Sequence, residues 1–444
     1  MQDILAWRGS QPVTRAQFAD DVRSIASLLP QHRHVINVCT DRYLFMVGFA
    51  AALCRGQISL LPPSRVPGVI VALGAEYADC YLLTDDHTGD GALPQFRIQV
   101  DSTVSRTPAD GQPESLLIRP EQLAAILFTS GSTGQPMPHP KSWGALMQGA
   151  TASSAAILPV SGAVTIVTTV PPQHMYGFET TVLFPLLGRC ALQCERPLFP
   201  EDVRQTLLVT PVPRLLVTTP VHLRTLAESS SPMPAVAGIV CATAPLSREL
   251  AAASEDKFAA PLTEVFGSTE TGITATRRTT GDEPWRLIGL FEVEPSMTGT
   301  WVRASHLGTS TLLQDLIEQL DDRHFRLIGR GSDLINIAGK RASLADLNMK
   351  LQSIDGVRDG VLFMPDPIPG AAAASGLVQR TAAFVVAPGM TRDEVMARLR
   401  QVIDPAFLPR PLFLIDSLPR NQSSKLPRAA VLKLLSEQLH DQGA

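Results

Sequence analysis

The stretch Phe128-Thr129-Ser130-Gly131-Ser132-Thr133-Gly134-Gln135-Pro136 follows an apolar run from Leu123, and that run predicts a buried strand. Four hydroxyl side chains and two glycines then share one short loop. Glycine lets backbone N–H groups turn toward an anion, and adjacent N–H groups and hydroxyls form a concave nest for phosphate. The loop therefore indicates a polyphosphate site, with a flexible surface loop as the ordinary alternative.

The position of the nearest lysine argues against one class of nucleotide-binding protein. A P-loop requires G-x-x-x-x-G-K-[ST], with the lysine directly after the second glycine. Here Gly134 is followed by Gln135, and the next lysine is Lys141. The sequence therefore does not predict a P-loop kinase or GTPase.

The composition is that of a large globular protein. The 444 residues suffice for two or three domains, and 45% hydrophobic residues indicate large buried cores. A net charge of −4 offers no basic surface to nucleic acid. The apolar run from Tyr43 to Cys54 is too short to span a bilayer, and the N-terminus lacks a secretory signal. Cys190 and Cys194 have no zinc-type partner pair, so we expect reduced core residues in a cytoplasmic protein without membrane insertion.

Alternating helical and strand-like runs predict the fold class. Val35 to Cys39 and Gln57 to Leu61 have the character of short buried strands, and the apolar helix from Tyr43 to Cys54 lies between them. This β–α–β order predicts an α/β fold with mostly parallel sheets covered by helices. The composition changes after Gly329-Arg330-Gly331-Ser332. We predict a large N-terminal domain, residues 1–331, and a small mobile α+β lid domain, residues 332–444, hinged at this segment; a single continuous domain is the alternative.

Five further segments matter together with the Ser/Thr/Gly loop. In chain order they are Pro171-Pro172-Gln173-His174-Met175-Tyr176-Gly177, Glu264-Val265-Phe266-Gly267-Ser268-Thr269-Glu270-Thr271-Gly272, Asp315 with the later Gly329-Arg330, Ile337-Ala338-Gly339-Lys340-Arg341, and Pro419-Arg420-Asn421-Gln422-Ser423-Ser424-Lys425-Leu426-Pro427-Arg428. We expect the first two of them to follow strands.

In this order and spacing the segments resemble the adenylate-forming superfamily, which contains acyl-CoA synthetases, luciferases and peptide-synthetase adenylation domains. The resemblance covers nearly the whole chain, from about Val35 to Arg428. It implies a large N-terminal adenylation core that holds ATP and the acyl pocket, and a small lid that carries a catalytic lysine. It also implies the reaction, in which a carboxylic acid and Mg-ATP give an acyl-adenylate and the acyl group then passes to a thiol.

The resemblance assigns each part of the nucleotide to particular residues. Carboxylate attack on the α-phosphorus brings two anions together, so the site must neutralise charge that develops in the transition state. Thr269 is implied to contact the α-phosphate, and Glu270 to hold Mg²⁺, a hard ion that prefers carboxylate and phosphate oxygens. Phe266 and Gly267 match the adenine position, and Asp315 with Arg330 matches the ribose position. The β- and γ-phosphates are assigned to Thr129, Ser130, Gly131, Ser132, Thr133 and Gly134.

Two lid segments are implied to act in turn. Lys425 matches the lysine that reaches the α-phosphate and the substrate carboxylate during adenylation, and an ammonium on a flexible stem suits that role. Gly339 and Lys340 match the segment that lines the thiol tunnel after the lid rotates. A solvated surface lysine is the alternative for Lys425, as an exposed loop carboxylate is for Glu270.

The acyl pocket is implied by two more segments. His174, Tyr176 and Gly177 match one wall, and the small residues Ala242 and Ala244 match the opposite wall. A core histidine bonded to a backbone carbonyl is the alternative for His174, and a buried core residue is the alternative for Phe266.

A narrower resemblance concerns the acid and the thiol. The loop with its displaced Lys141 is similar to that of bacterial ligases of xanthomonadin and aryl-polyene pathways, which load a hydroxybenzoate or related aryl acid onto an acyl carrier protein. Coenzyme A as the thiol acceptor is the second hypothesis, and a catalytically silent nucleotide-binding scaffold is the third. Arg277, Arg278, Lys340 and Arg341 are candidates for docking a carrier protein or binding coenzyme A phosphates.

Two positions depart from the family pattern. The phosphate loop of the family ends in Pro-Lys, whereas Pro136 here is followed by Met137, and the lysine is displaced by four positions to Lys141. The hinge position two residues after Arg330 is commonly Asp or Lys and is Ser332 here. Lys425, Glu270 and Thr269 are retained, so we expect an active enzyme.

Overall fold

The computed structural model describes residues 3–86, 93–100, 117–130, 136–159, 164–281, 283–289, 291–330, 334–337, 340–365, 380–420 and 426–441. The strands are β1 (Ile4–Arg8), β2 (Gln11–Thr14), β3 (His34–Asn37), β4 (Ile58–Leu61), β5 (Cys80–Thr84), β6 (Gln95–Arg97), β7 (Leu123–Ser130), β8 (Pro136–Ser142), β9 (Val164–Thr168), β10 (Cys190–Gln193), β11 (Arg214–Thr218), β12 (Gly238–Cys241), β13 (Leu262–Ser268), β14 (Gly272–Arg277), β15 (Trp285–Leu287), β16 (Glu292–Pro295), β17 (Thr300–Arg303), β18 (Thr311–Leu313), β19 (Asp315–Gln319), β20 (His324–Arg330), β21 (Leu334–Ile337), β22 (Lys340–Ser343), β23 (Asp359–Phe363), β24 (Ala382–Val386) and β25 (Leu412–Leu414).

The helices carry the apolar residues that cover these strands. They are α1 (Arg15–Leu28), α2 (Arg42–Cys54), α3 (Pro67–Glu76), α4 (Trp143–Ile157), α5 (Met175–Phe178), α6 (Phe184–Leu186), α7 (Pro200–Val209), α8 (Pro220–Glu228), α9 (Arg248–Phe258), α10 (Leu344–Gln352), α11 (Arg392–Val402) and α12 (Arg428–Asp441). A π-helical turn, Glu179–Leu183, joins α5 to α6.

The first sheet has the strand order β6-β5-β3-β4-β7-β8, and its pairs are parallel except for β7 with β8. The predicted β–α–β unit is present as β3, α2 and β4. The Asp41 carboxylate caps α2 by accepting hydrogen bonds from the N–H groups of Tyr43 and Leu44. Every residue of β4 is buried, as expected where helices cover both faces of a parallel sheet. The predicted α/β fold is therefore confirmed.

The second sheet has the order β19-β20-β15-β14-β13-β12-β11-β9-β10-β1-β2. Its central strands β10, β9, β11, β12 and β13 are parallel neighbours, and β13 turns back into β14 as an antiparallel hairpin. The segments after β9, β12 and β13 therefore meet at one edge, where the carboxyl ends of parallel strands form ligand crevices. One expectation was wrong: the Glu264–Gly272 motif does not follow a strand but forms the second half of β13, the turn and the first residue of β14.

The C-terminal part has its own hydrophobic clusters. Leu347 and Leu351 of α10 and Val395 and Leu399 of α11 are buried against β24, in a small sheet with the order β23-β24-β25. Among the described residues, these clusters contain no residue before Ile335, and those of the larger part contain none after Phe325. The two cores thus separate near the predicted boundary at 331, and the division into a large N-terminal domain and a mobile C-terminal lid stays a prediction.

Two findings bear on the compositional expectations. All six cysteines are free, and Cys190 and Cys194 are buried, as predicted for core residues. In the part of the chain that the structure describes, no helix has the length and apolar character needed to cross a membrane.

Candidate active site

The turn between β13 and β14 presents Thr269 and Glu270 at its apex, with both side chains half-buried. The turn is fixed by the Thr271 N–H, which donates to Ser268 Oγ at 3.3 Å, and by a 3.1 Å contact between the two hydroxyls. Gly272 has φ +75°, a conformation that favours glycine. Gly267 lies so close to the facing strand that a Cβ would be 2.4 Å from the Gly272 carbonyl oxygen. The motif glycines therefore set the position of the turn.

Lys141 and His139 of β8 converge on this turn. The Lys141 ammonium donates to the Glu270 carbonyl oxygen, and His139 Nε2 lies 3.8 Å from Glu270 Oε1. His139 Nε2 also lies 2.9 Å from Thr129 Oγ1, at the end of β7. The structure thus brings together three predicted residues, Thr129, Lys141 and Glu270, and adds His139.

His139 was missed by sequence reasoning, although a signal was available. Residues two apart on a strand face the same side, so a functional Lys141 implies that His139 faces the same site. The predicted phosphate loop lies between Thr129 and His139. Its residues Gly131, Ser132, Thr133 and Gly134 lie outside the described residues, as does the side chain of Ser130.

The charges in this group are coupled. Burial acts to raise the pKa of Glu270, but the hydrogen bond with Ser268 and the charges of His139 and Lys141 bring the pKa below its usual value, so the carboxylate is ionised. Burial lowers the pKa of Lys141 to about 8, against the opposing influence of Glu270 and Glu179. Burial also lowers the pKa of His139, and the Glu270 charge opposes it. At neutral pH the group therefore holds an ionised carboxylate, an ammonium and a neutral imidazole.

A cavity of about 500 Å³ opens from the same group. Its walls are β8 residues 138–142, one face of α4, Met175, Glu179, turn residues 270–272 and the segment 306–308. Lys141 and Glu270 are the two predicted site residues among them. Glu179 was not predicted, because a glutamate in an apolar helical run gives no sign of being buried.

Glu179 is 1% exposed, and each of its carboxylate oxygens accepts a hydrogen bond. Its Oε1 accepts from Ser153 Oγ of α4 at 2.5 Å, and its Oε2 accepts from the Ile273 N–H of β14 at 3.1 Å. Burial raises the pKa of Glu179 to about 7, although these hydrogen bonds and Lys141 act to lower it. Glu179 therefore ties α4 and the motif hairpin to the helical segment after β9.

The predicted acyl-wall residues lie on the other side of that segment. The Tyr176 hydroxyl donates to the Val240 carbonyl oxygen at 2.9 Å, at the end of β12, and Gly177 is so close to Pro171 that a Cβ would be 2.0 Å from its carbonyl oxygen. His174 precedes α5 and its carbonyl oxygen accepts from the Phe178 N–H. None of these residues lines the 500 Å³ cavity described above, whereas Met175 and Glu179 of the same segment do.

Ala242 and Ala244 are the residues predicted for the opposite wall of the acyl pocket. They lie on either side of a residue whose backbone is strained. Thr243 has φ +86°, which a β-branched residue rarely adopts. Its buried hydroxyl has no hydrogen-bond partner among the residues that the structure describes. Strain of this kind persists where surrounding structure enforces it and is common at functional sites.

The residues assigned to the nucleoside lie in the second sheet. Asp315 of β19 is directly opposite Arg330 of β20, so the predicted strand–turn–strand relation between them is present. The Arg330 side chain is outside the described part. Phe266 is half-buried and packs against Trp285 and Phe325, with ring centroids 5.6 and 5.7 Å away. Phe266 is therefore part of an aromatic cluster, and its contact with adenine stays a prediction.

The lid residues are described in part. Lys340 donates to Asp404 Oδ2 at 2.7 Å on the surface of the C-terminal part. Lys425, Gly339 and Ser332 lie outside the described residues. Two candidates for docking a thiol carrier have internal partners: Arg277 pairs at 2.7 Å with Glu264, which is 4% exposed, and Arg278 pairs at 2.7 Å with Glu255. Both arginines thus have ion-pair partners within the larger part.

The chain is similar in sequence to known proteins. The model of a family described as AMP-binding enzyme matches residues 5–293, well over half of the chain. A 4-coumarate–CoA ligase of Halorhodospira halophila is 28% identical over 308 residues, which cover 67% of this chain and 73% of that protein. A medium/long-chain-fatty-acid–[acyl-carrier-protein] ligase of Mycobacterium tuberculosis is 26% identical over 118 residues, which cover 26% of this chain and 22% of that protein.

A solved structure supports the fold. The o-succinylbenzoate CoA synthetase of Bacillus subtilis, in complex with its acyl-adenylate intermediate, superposes with a TM-score of 0.79 at 15% identity. The superposition covers 97% of this chain and 95% of that chain, so both the larger and the smaller part have counterparts there.

Proposed function

Because the chain belongs to the AMP-binding enzyme family of the adenylate-forming superfamily, we propose that it activates a carboxylic acid with ATP as an acyl-adenylate and then passes the acyl group to a thiol. The observation that carries this proposal is the convergence of Glu270, Lys141 and Thr129 at the ends of two sheets. A silent scaffold would have no need of a buried ammonium beside an ionised carboxylate.

The residues present fit ATP and Mg²⁺. An ionised Glu270 at a turn apex is the carboxylate that Mg²⁺ prefers, and Mg²⁺ bound with nucleotides takes its other ligands from phosphate oxygens and water. When bound, Mg²⁺ supplies charge neutralisation to the phosphates. Thr129 and Thr269 offer further hydroxyl donors. Lys141 supplies a positive charge in place of the lysine that the family carries four positions earlier.

We assign the remaining predicted roles on the same basis. Asp315 and Arg330 hold the ribose, and Phe266 packs on the adenine. The carboxylate of the acid attacks the α-phosphorus, so the bond to pyrophosphate breaks and an acyl-phosphate bond forms. Lys425 neutralises the charge that develops in this step, and the lid residues Gly339 and Lys340 border the path of the thiol in the second step.

For the substrates we propose a hydroxybenzoate or related aryl acid and the phosphopantetheine thiol of an acyl carrier protein. The short phosphate loop with its displaced Lys141 supports the carrier ligases, and one similar protein is a ligase of that class by name. Coenzyme A is the second candidate acceptor, because the similar protein with the longer matched region is a CoA ligase by name.

The test is pyrophosphate release from ATP over a panel of carboxylic acids, with mass detection of thioester on coenzyme A and on a purified holo carrier protein. We expect release with a hydroxybenzoate and a mass gain on the carrier. A gain on coenzyme A alone would contradict the carrier assignment. Nucleotide binding without release on any acid would contradict the enzyme assignment and favour a scaffold.

A further inference from the structure

The cavity beside Glu270 has the size of a pocket for a small ring, and its walls are partly apolar and partly polar. Its volume of about 500 Å³ lies within the range of small-molecule pockets, roughly 300 to 1,000 Å³. Leu146 and Ala150 of α4, Met175 and Leu307 give it an apolar lining, and Gly149 keeps the α4 wall flat. The cavity begins at the turn that carries Glu270. The roles proposed above place Mg²⁺ and the α-phosphate at this turn, and the carboxylate of the acid must reach the α-phosphate.

Polar residues also line the cavity, and three of their side chains matter here. Glu179 reaches the cavity from the helical segment after β9, and Lys141 reaches it from β8. His306 enters from the segment before β18, and its buried Nε2 has no hydrogen-bond partner among the described residues. A Cβ on Gly149 would lie 3.4 Å from this Nε2, so the imidazole is held against α4. The cavity therefore offers a carboxylate acceptor, an ammonium donor and an unpartnered imidazole nitrogen.

The backbone at Glu179 is unusual as well. Glu179 opens the π-helical turn Glu179–Leu183, and single π-helical turns inside α-helices are rare and occur often at functional sites. Each oxygen of Glu179 already accepts one hydrogen bond, from Ser153 and from the Ile273 N–H, and a carboxylate oxygen can accept a second. The carboxyl group is thus held rigidly at the cavity wall with acceptor capacity left.

We infer that this cavity holds the ring of an aryl acid that carries a hydroxyl group, and that Glu179 accepts the hydrogen bond of that hydroxyl. The inference rests on the proposed function and names the residue that selects its substrate. A hydroxyl can donate to a carboxylate while its oxygen accepts from the imidazole N–H of His306.

Other substituents match the cavity less well. A second carboxylate on the acid would face Glu179 and Glu270, and like charges in a partly buried site repel strongly. An unsubstituted ring or an alkyl chain would remove water from Glu179, Lys141 and His306 without replacing its hydrogen bonds. Sites built to hydrogen-bond a hydroxyl discriminate against such analogues for this reason.

The experiment compares kcat/KM for adenylation of 3-hydroxybenzoate, 4-hydroxybenzoate and benzoate, measured by pyrophosphate release with the full-length protein. We expect wild type to prefer one hydroxybenzoate over benzoate. Glu179→Met should reduce that preference by about 10- to 100-fold, the worth of a hydrogen bond to a charged group. Glu179→Gln keeps one acceptor oxygen and should lose less.

Controls separate substrate recognition from a structural role. Met175→Leu changes the shape of the same cavity without removing a polar group. It should change kcat/KM by the same factor for all three acids. Equal losses with hydroxybenzoate and benzoate in both Glu179 variants would overturn the inference, because Glu179 would then act only through the Ile273 hairpin. If the Glu179→Met variant does not fold, the variants Glu179→Gln and His306→Phe are used instead. Each is tested for a reduced preference for hydroxybenzoate over benzoate. A wild type inactive on every acid would instead contradict the proposed function, and the inference with it.

Discussion

Substituting Gly267 by alanine tests whether the β13–β14 hairpin positions the reacting groups. Gly267 does not have a positive φ, so alanine fits its backbone conformation and only the added methyl group matters. That methyl carbon would lie 2.4 Å from the Gly272 carbonyl oxygen and 2.9 Å from Ile273 Cα. Both neighbours are backbone atoms of the facing strand, so no side chain can rotate away to relieve the contact.

The size of the effect follows from this contact. The distance to the Gly272 oxygen is about 0.6 Å inside the 3.0 Å limit of real Cβ contacts, so the hairpin must open by at least that amount. Overpacking of this kind costs about 1–3 kcal/mol of stability. Glu270 lies two residues before Gly272 and moves with it, and displacements of about 1 Å in a catalytic constellation cost about 100-fold in rate. We therefore expect kcat/KM for adenylation to fall roughly 10- to 100-fold.

The assay pairs urea unfolding with acid-dependent pyrophosphate release, and Gly68→Ala is the matched control. Gly68 lies in α3 and a Cβ there would have nothing within 4 Å, so this variant should keep wild-type activity. Its stability should rise by about 0.4–1 kcal/mol, because alanine lowers the conformational entropy of the unfolded chain. A Gly267→Ala protein with wild-type stability and activity would refute the packing argument. Lost stability with unchanged activity would show that the hairpin does not position the reacting groups.

Three further changes test other contacts. Lys141→Met should lower adenylation yet stabilise the fold by up to about 3 kcal/mol below pH 8, because burial holds the pKa of Lys141 at about 8 against 10.5 when unfolded. This gain in stability should vanish as the pH rises toward 10.5, where the folded state no longer buries a charge. Lys141→Arg keeps the charge and should show no gain. A stability difference in urea unfolding that does not depend on pH would contradict this reasoning. Lys425→Ala should abolish adenylate formation but spare thioester formation from preformed acyl-adenylate, and equal loss of both half-reactions would contradict its role. Tyr176→Phe leaves the Val240 carbonyl oxygen without the tyrosine donor and should cost about 1–2 kcal/mol in thermal unfolding, so unchanged stability would refute its bracing role.

The sequence predicted the elements whose patterns are local. The apolar run into β7, the helix α2 between β3 and β4, and the spacing of Asp315 from Arg330 all depend on neighbours along the chain, and all three are present. The Glu264–Gly272 motif was placed after a strand rather than within one. Its polar and glycine residues hide the strand, because β13 is defined by pairing with distant β12 and with β14.

The candidate site was predicted only where one segment supplies the signal. Lys141 and Glu270 were named separately, but their contact depends on how the two sheets meet. Glu179 is buried because Ser153 and the Ile273 N–H, far away in sequence, satisfy its carboxylate. His306 comes from a third region and has no motif of its own. Residues whose roles depend on contacts between segments cannot be found from periodicity or spacing.

The central claim is that a carboxylate of the substrate acid attacks the α-phosphorus of ATP. Its direct test supplies hydroxybenzoate labelled with ¹⁸O in both carboxyl oxygens, together with ATP, Mg²⁺ and the thiol acceptor, and measures the masses of the nucleotide and phosphate products. We expect AMP that carries one ¹⁸O atom, with unlabelled pyrophosphate. Formation of ADP with the label in inorganic phosphate, or of AMP without label, would contradict it.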